Sequence, residues 1–217
     1  MEIEMKSLIT KTQAINLVEG KIGSYTISRG GGWRPFRKRD TYYSFNGEYI
    51  TNPKDIIRVR EEMEIGEDSF EDIIFGKAKD ILCGTHKTFL TVKKKYTDEN
   101  GIETNEETEG ILIGDAKTAF EKSMELCNFK PYFQKRKDSV SLYVTDTYNT
   151  HEVHCEIVNV NGHGPYLEVE AIVPTINGTT NDFQDVESAQ NFIKDFFYEA
   201  FGITKFDGRN WTEIINS

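Results

Sequence analysis

The sequence predicts an α+β fold built on a closed eight-stranded antiparallel β-barrel, a tunnel, with helices packed outside it. Two observations predict it. Eight segments alternate polar and apolar residues with the period of two that puts successive side chains on opposite faces of a strand. Several of these segments carry like-charged pairs on one face, and in most of those Ile, Val, Leu or Met fill the opposite face.

The first strand is "EIEMK", with Glu2, Glu4 and Lys6 on one face and Ile3 and Met5 on the other. "DTYYSF" (40–45), "IIRVRE" (56–61), "KTFLTVKKKY" (87–96), "NEETEGILI" (105–113), "DSVSLYVT" (138–145), "EVHCEIVNV" (152–160) and "YLEVEAIV" (166–173) complete the eight. Turns such as "FNGEY", "DENG" and "NGHG" separate them, and short Gly/Asn turns join antiparallel neighbours. One helix is predicted over "GDAKTAFEKSMELCNF", capped by Asp115 and ended by Asn128 in a left-handed conformation. A second is predicted over "VESAQNFIKDFFYEAFG", with Ser188 as cap and Gly202 as stop, and "WTEIINS" adds a final turn. "SRGGGWRPFRKR" (28–39) reads as a basic loop, a lid hinged at Gly30 to Gly32, and "EEMEIGEDSFEDIIFG" as an acidic excursion between strands. A chain of 217 residues with no domain-sized linker is expected to form one domain over 1–217.

Like-charged pairs recur on single strands: Arg58 with Arg60, Lys93 with Lys95, Lys135 with Lys137, Glu168 with Glu170, and Glu107 with Glu109. Such pairs, about 7 Å apart, repel unless something of opposite sign lies between them. Closing the sheet removes its edges and turns the charged faces inward, where unpaired charge is too costly to leave bare. Cations on some walls suit the oxygens of a polyphosphate, and carboxylates on others suit Mg²⁺ or Mn²⁺, which bridges to phosphate. The pattern therefore implies a metal and polyphosphate site.

The same residues resemble the CYTH, or triphosphate tunnel metalloenzyme, family of thiamine triphosphatases, inorganic triphosphatases and class IV adenylate cyclases. Glu2, Glu4 and Lys6 match its hallmark Glu-x-Glu-x-Lys. "DTYY" (40–43), "RVRE" (58–61), "LTVK" (90–93), "KRK" (135–137) and "GPYLEVE" ending in Glu168 and Glu170 follow in family order. The resemblance implies metal ligation by Glu2, Glu4, Glu168 and Glu170, and phosphate binding by Lys6, Arg58, Arg60, Lys93, Lys95, Lys135 and Lys137. It also implies catalytic roles for Glu4, Lys6 and Glu170. The chain departs from the pattern at Ser44 and Val158, where the family carries Asp, with Glu156 the nearest acid in phase, and at Lys137, where it carries Arg.

Composition narrows the alternatives. The net charge of −10 opposes bulk attraction to nucleic acid, although Trp33 and Phe36 beside Arg have the make-up of a single-strand stacking site. No apolar run reaches the length of a membrane span and no signal peptide is evident, so a cytoplasmic protein is expected, a monomer or homodimer acting on a small-molecule triphosphate. Cys83, Cys127 and Cys155 lack the spacing of a disulfide framework or a zinc site. His151 and His154, near Cys155 and His163, face opposite sides of a strand, which argues against zinc. "NGT" (177–179) reads as a turn, and Tyr42 and Tyr43 as barrel packing. Hydrolysis, with water directed at the terminal phosphorus, is the expected reaction. Cyclisation of ATP to cyclic AMP and pyrophosphate, or ligand sensing without turnover, are the alternatives.

Overall fold

The structure is a computed structural model that describes residues 1–28, 32–65, 70–75, 82–99, 102–148, 151–174 and 183–217, with backbone alone at 82–85. The order of elements is β1 (Glu2–Leu8), α1 (Lys11–Val18), β2 (Tyr25–Ile27), β3 (Arg34–Phe45), β4 (Asp55–Ile65), α2 (Phe70–Ile74), β5 (Leu82–Thr97), β6 (Glu103–Ile111), α3 (Ala116–Leu126), β7 (Phe129–Asp146), β8 (Glu152–Val160), β9 (His163–Ile172), α4 (Val186–Phe201) and α5 (Trp211–Ile215). Strands run β7-β3-β4-β5-β6-β1-β9-β8, and β8 returns to β7, so eight antiparallel strands close on themselves. The ninth, β2, pairs Tyr25–Ile27 with Val144–Asp146 at the far end of β7.

The barrel is lined with charge and clad in hydrocarbon. Ile3 and Met5 of β1, Val140, Leu142 and Val144 of β7, Ile157 of β8, and Leu167 and Val169 of β9 point outward and are wholly buried. They are covered by α1 and α2 and by Ala189, Ile193, Phe196 and Phe197 of α4. The hydrophobic core therefore lies between the outer wall and the helices, and the alternation of each strand delivers the opposite residues to the lumen. A second, small apolar cluster of Val158, Val160, Tyr166 and Ile214 forms where α5 crosses one end of the barrel.

Local signals explain the joints. Asn161 and Gly162, at φ 52° and 90°, form the two-residue hairpin joining β8 to β9, a turn that demands positive φ. Asn128 (φ 62°) follows α3, and Gly202 (φ 68°) ends α4. Asp185, not Ser188, is the N-cap of α4. Ser188 is its reciprocal partner three residues on. Asp115 precedes α3 without a side-chain cap bond.

The basic stretch 34–39 is not a lid. It is the first half of β3, paired with β4 and β7 on its two sides. Arg37 is fully buried, its Nε donating to Asp138 Oδ1 at 2.8 Å, while Lys38 points into the lumen. A buried Arg opposite an acid on a distant strand reads as surface until the pairing is known. Of the proposed hinge, Gly30 and Gly31 lie outside the described residues, as does the "NGT" turn. The acidic excursion is a continuation of β4 to Ile65 followed by α2, with 66–69 outside the described residues. Among the described residues no helix is long and apolar enough to cross a membrane.

Candidate active site in the tunnel

The lumen holds a cavity of about 370 Å³. Among the described residues nine glutamates and eight lysines and arginines line it, so their charges nearly balance. All of Glu2, Glu4, Lys6, Arg58, Arg60, Lys93, Lys95, Lys135, Lys137, Glu168 and Glu170 lie on this lining. The alternation settles the basic triplets: Lys93 and Lys95 point in and Lys94 is exposed, while Lys135 and Lys137 point in and Arg136 turns outward to Asp138.

Strand register assembles the acidic centre. β1 lies between β6 and β9, with Glu4 opposite Glu170 and Glu2 opposite Asn105. One carboxylate oxygen from each of Glu2, Glu4 and Glu170 falls within 4.8 Å of the others. The cluster thus joins two acids of β1 to one from the neighbouring strand β9. Glu168 is the acid that the structure does not bring in. Lys137 bonds it from one side, and Trp211 Nε1 donates to its Oε1 at 2.8 Å.

Burial and the charge of Glu103 push the Glu4 carboxyl up to about 8, and burial with Glu170 raises Glu2. Burial acts the same way on Glu170, but His154, whose Nδ1 lies 2.9 Å from Glu170 Oε2, outweighs it and holds that carboxyl at about 2. Lys93 stands against the cluster, 3.1 Å from Glu2 Oε1, 3.7 Å from Glu4 and 3.5 Å from Glu107.

The cationic wall is formed across β7, β3, β4 and β5. Arg58 Nη2 donates to Thr91 Oγ1 at 2.9 Å, and Lys6 reaches Glu103 at 3.2 Å. Lys95 bonds Glu103 and Asn210, and Lys137 bonds Glu156 and Glu168. Burial, with Lys137 nearby, lowers the Lys135 ammonium to about 8 despite Asp40 at 3.6 Å.

Two buried atoms near the cavity have no partner among the described residues: Arg58 Nε, a donor on a lining residue, and Asn105 Oδ1, an acceptor on β6 opposite Glu2. Asn105 is fully buried, and its Nδ2 donates to Glu2 Oε1 at 3.0 Å. An orphaned acceptor beside Glu2, one of the three clustered carboxylates, fits a hard cation such as Mg²⁺ or Mn²⁺, whose ligands are oxygens. An orphaned guanidinium donor fits an anion.

Several lining residues were not assigned from sequence. Asp40, 1% exposed, anchors Arg60 from beneath the lining, and its "DTYY" motif was the available signal. Glu103 and Lys38 gave none, since Glu103 bonds Lys6 and Lys95 across the strand pairings on either side of β6, and Lys38 bonds Glu156 more than a hundred residues away. Glu156 bonds Lys38 and Lys137 in the lumen, while Val158, where the family carries Asp, is buried beneath α5. His154 faces the lumen and His151 stacks outside on Phe183 at 4.6 Å, so the two face opposite ways as expected. Tyr42 lines the tunnel, and only Tyr43 packs outside, against Phe120 of α3.

No protein family and no curated protein matches the chain. Solved structures do. The PH1819 protein of Pyrococcus horikoshii aligns with a TM-score of 0.68 at 19% identity, over 100% of this chain and 98% of its own. A candidate adenylate cyclase from Vibrio parahaemolyticus aligns at 0.58 and 13% identity, over 100% and 98%. The Hippeastrum protein HpAC1, a candidate adenylyl cyclase described as having a dominant triphosphatase activity, aligns at 0.56 and 12% identity, over 100% and 95%. At these identities the likeness concerns architecture alone, a closed eight-stranded antiparallel tunnel with helices outside it.

Proposed function

We propose that this chain is a divalent-metal-dependent hydrolase that releases orthophosphate from a triphosphate. The observation that carries the reading is the division of one buried cavity into a carboxylate cluster, Glu2, Glu4 and Glu170, and a facing cationic wall. The likeness to HpAC1 supports the same reaction class.

In this reading Glu2, Glu4 and Glu170 would hold Mg²⁺ or Mn²⁺, with Glu2 braced by Asn105 Nδ2. The ion, when bound, offsets charge on the phosphate oxygens and helps to orient water. Lys6, Arg58, Arg60, Lys93, Lys95, Lys135 and Lys137 hold the phosphate chain. Arg58 spends its free Nε on a phosphate oxygen, and Lys93 exchanges Glu2 and Glu4 for phosphate. That exchange frees the two carboxylates as the anion arrives, so cation and triphosphate each raise the other's affinity. Lys6 stabilises charge that develops on the transferred group, which is the larger part of catalysis in phosphoryl transfer. Glu4 and Glu170 fix the face from which water attacks, and His154 positions Glu170. Glu168, held by Lys137 and Trp211, orients the cation wall instead of joining the cluster.

A cyclase reading is favoured by one observation, the aromatic side chains Tyr42, Tyr132 and Phe133 in the same cavity. Product analysis decides. Tripolyphosphate, ATP and thiamine triphosphate are each incubated with the protein and Mg²⁺ or Mn²⁺, and orthophosphate is the expected product. Cyclic AMP with pyrophosphate from ATP would establish the cyclase. Tight binding with every substrate intact would establish a sensor.

A further inference from the structure

Six lysines line the tunnel, and five of them are hydrogen-bonded. Lys6 donates to Glu103, Lys38 to Glu156, Lys93 to Glu2, Lys95 to Asn210 and Lys137 to Glu168. Among the described residues Lys135 is the exception. Asp40 Oδ2 lies 3.6 Å from its Nζ, outside hydrogen-bond reach, and both Asp40 oxygens are already engaged by Arg60 and the Tyr42 hydroxyl.

Aromatic rings flank this amine. Its Nζ lies 5.6 Å from the centroids of both Tyr42 and Trp211. Burial, with the like charge of Lys137 two residues on, holds the group at about 8, so about a tenth of it is neutral amine at pH 7. An ordinary exposed lysine keeps only about one part in 2,500 in that form. A desolvated amine beside another cation, with no hydrogen bond to retain its proton, is the arrangement that makes a lysine nucleophilic toward carbonyl carbon.

We infer that Lys135 is a carbonyl-reactive amine, and that the tunnel takes up phosphorylated aldehydes that join it as an imine. Arg58 and Arg60 face the same cavity and suit the phosphate of such a ligand. The cavity of about 370 Å³ lies in the range of roughly 300–1,000 Å³ that organic ligands occupy. In the reaction the amine lone pair forms the new C–N bond while the carbonyl π pair moves to oxygen. The carbinolamine then loses water as C=N forms, and the proton first shed by the ammonium returns to the imine nitrogen. One ammonium and one aldehyde thus give one iminium and one water, with no oxidant or reductant and with the positive charge near Asp40 kept. The adduct fills the lumen and removes a cation from the phosphate wall, so it should exclude a triphosphate.

Uptake of the phosphate rests on the same cationic wall as the proposed hydrolysis, whereas imine formation needs no turnover, so the two fail separately. The protein is incubated at neutral pH with pyridoxal 5′-phosphate as probe, treated with borohydride to fix any imine as a secondary amine, and mapped by peptide mass spectrometry. Labelling of Lys135 is expected to exceed that of the exposed Lys94 and Lys122 by about tenfold or more. Excess tripolyphosphate should suppress it, and pyridoxal without its phosphate should label Lys135 at least about tenfold less. Lys135→Arg, which keeps a cation beside Asp40, should lose the tunnel adduct, and mapping of the parent protein decides even where that variant fails to fold. Adducts spread over exposed lysines with Lys135 modified no more than they are would overturn the assignment. Pyridoxal as effective as its phosphate, or no protection by tripolyphosphate, would overturn the uptake of phosphorylated aldehydes. Triphosphate cleavage with Lys135 unlabelled overturns the reactive amine alone, and selective labelling in a protein that cleaves no triphosphate overturns the hydrolase alone.

Discussion

Asp40 and Arg60 meet in the tunnel wall through a two-pronged contact, Arg60 Nε to Oδ1 at 2.8 Å and Nη2 to Oδ2 at 3.1 Å. Arg58 lies 3.9 Å and Lys135 3.6 Å from the same carboxylate. Burial alone would raise the Asp40 pKa, but the three cations outweigh it and hold the group well below its usual range. Replacing it strands three charges. Asp40→Ala is expected to cost roughly 3–5 kcal/mol of stability, the usual result of removing one partner of a buried ion pair, read as a lowered urea midpoint. The sign with pH follows from the depressed folded pKa. Asp40 contributes stability above about pH 3.9, its unfolded value, and loses it only as pH falls through the lower folded value.

Removal of the metal should silence the enzyme. EDTA is expected to abolish orthophosphate release, and added Mg²⁺ or Mn²⁺ to restore it. Glu4→Gln and Glu170→Gln should each lose calorimetric Mn²⁺ binding while keeping the far-ultraviolet circular dichroism of the parent. His154→Gln, which removes the group holding Glu170, is expected to weaken Mn²⁺ binding by about 10- to 100-fold. Full activity in EDTA, or in Glu170→Gln, would sink the metal assignment.

Arg58 lines the lumen and carries a buried donor, Nε, without a partner among the described residues. Arg58→Ala removes a charge-assisted contact worth about 1.5–3 kcal/mol, so kcat/KM for the triphosphate should fall by about one to two decades. Parental kinetics would show that the guanidinium does not meet the substrate.

Triphosphate binding is expected to weaken on the alkaline side through Lys135. Burial holds its ammonium at about 8, so the free protein loses this charge as pH rises from 7 to 9 and affinity should fall by about tenfold from this group alone. The comparison is with Lys135→Met, whose titration should lack that component. Parallel profiles for the two proteins would assign the phosphate contact elsewhere.

The barrel was legible because each strand repeats its alternation, and the segregation of like charges said which face was inside. Glu2, Glu4, Lys6, Arg58 and Arg60 needed nothing further. Lys93 and Lys95 were blurred by Lys94, since three consecutive lysines fit either phase until cross-strand pairing fixes one. The strand at 34–39 was hidden by Gly and Pro and by Arg37, whose acid partner Asp138 lies 101 residues away. α1 is only 8 residues long, too short for a convincing stripe, yet its capping box was present in the sequence: Gln13 N donates to Thr10 Oγ1 and Thr10 N to Gln13 Oε1. Tyr132 and Phe133, neighbours in sequence that both line the cavity, escaped notice because the register of β3 on β7 shifts there, and a bulge shows in the pairing of two strands and not in either one alone.

β1 lies between β6 and β9, and its Lys6 bonds an acid 97 positions further along the chain. On the ribosome this charged strand therefore emerges well before either neighbour, and it waits without a partner until β6 is made about a hundred residues later. Contacts of such long span slow folding, because the loop must close before any pairing rewards it. The three charges of β1 keep the waiting strand soluble and poorly suited to pairing with another copy, a protection that charged edge strands commonly have. The same glutamates that gather in the finished tunnel thus guard the nascent chain before the tunnel exists.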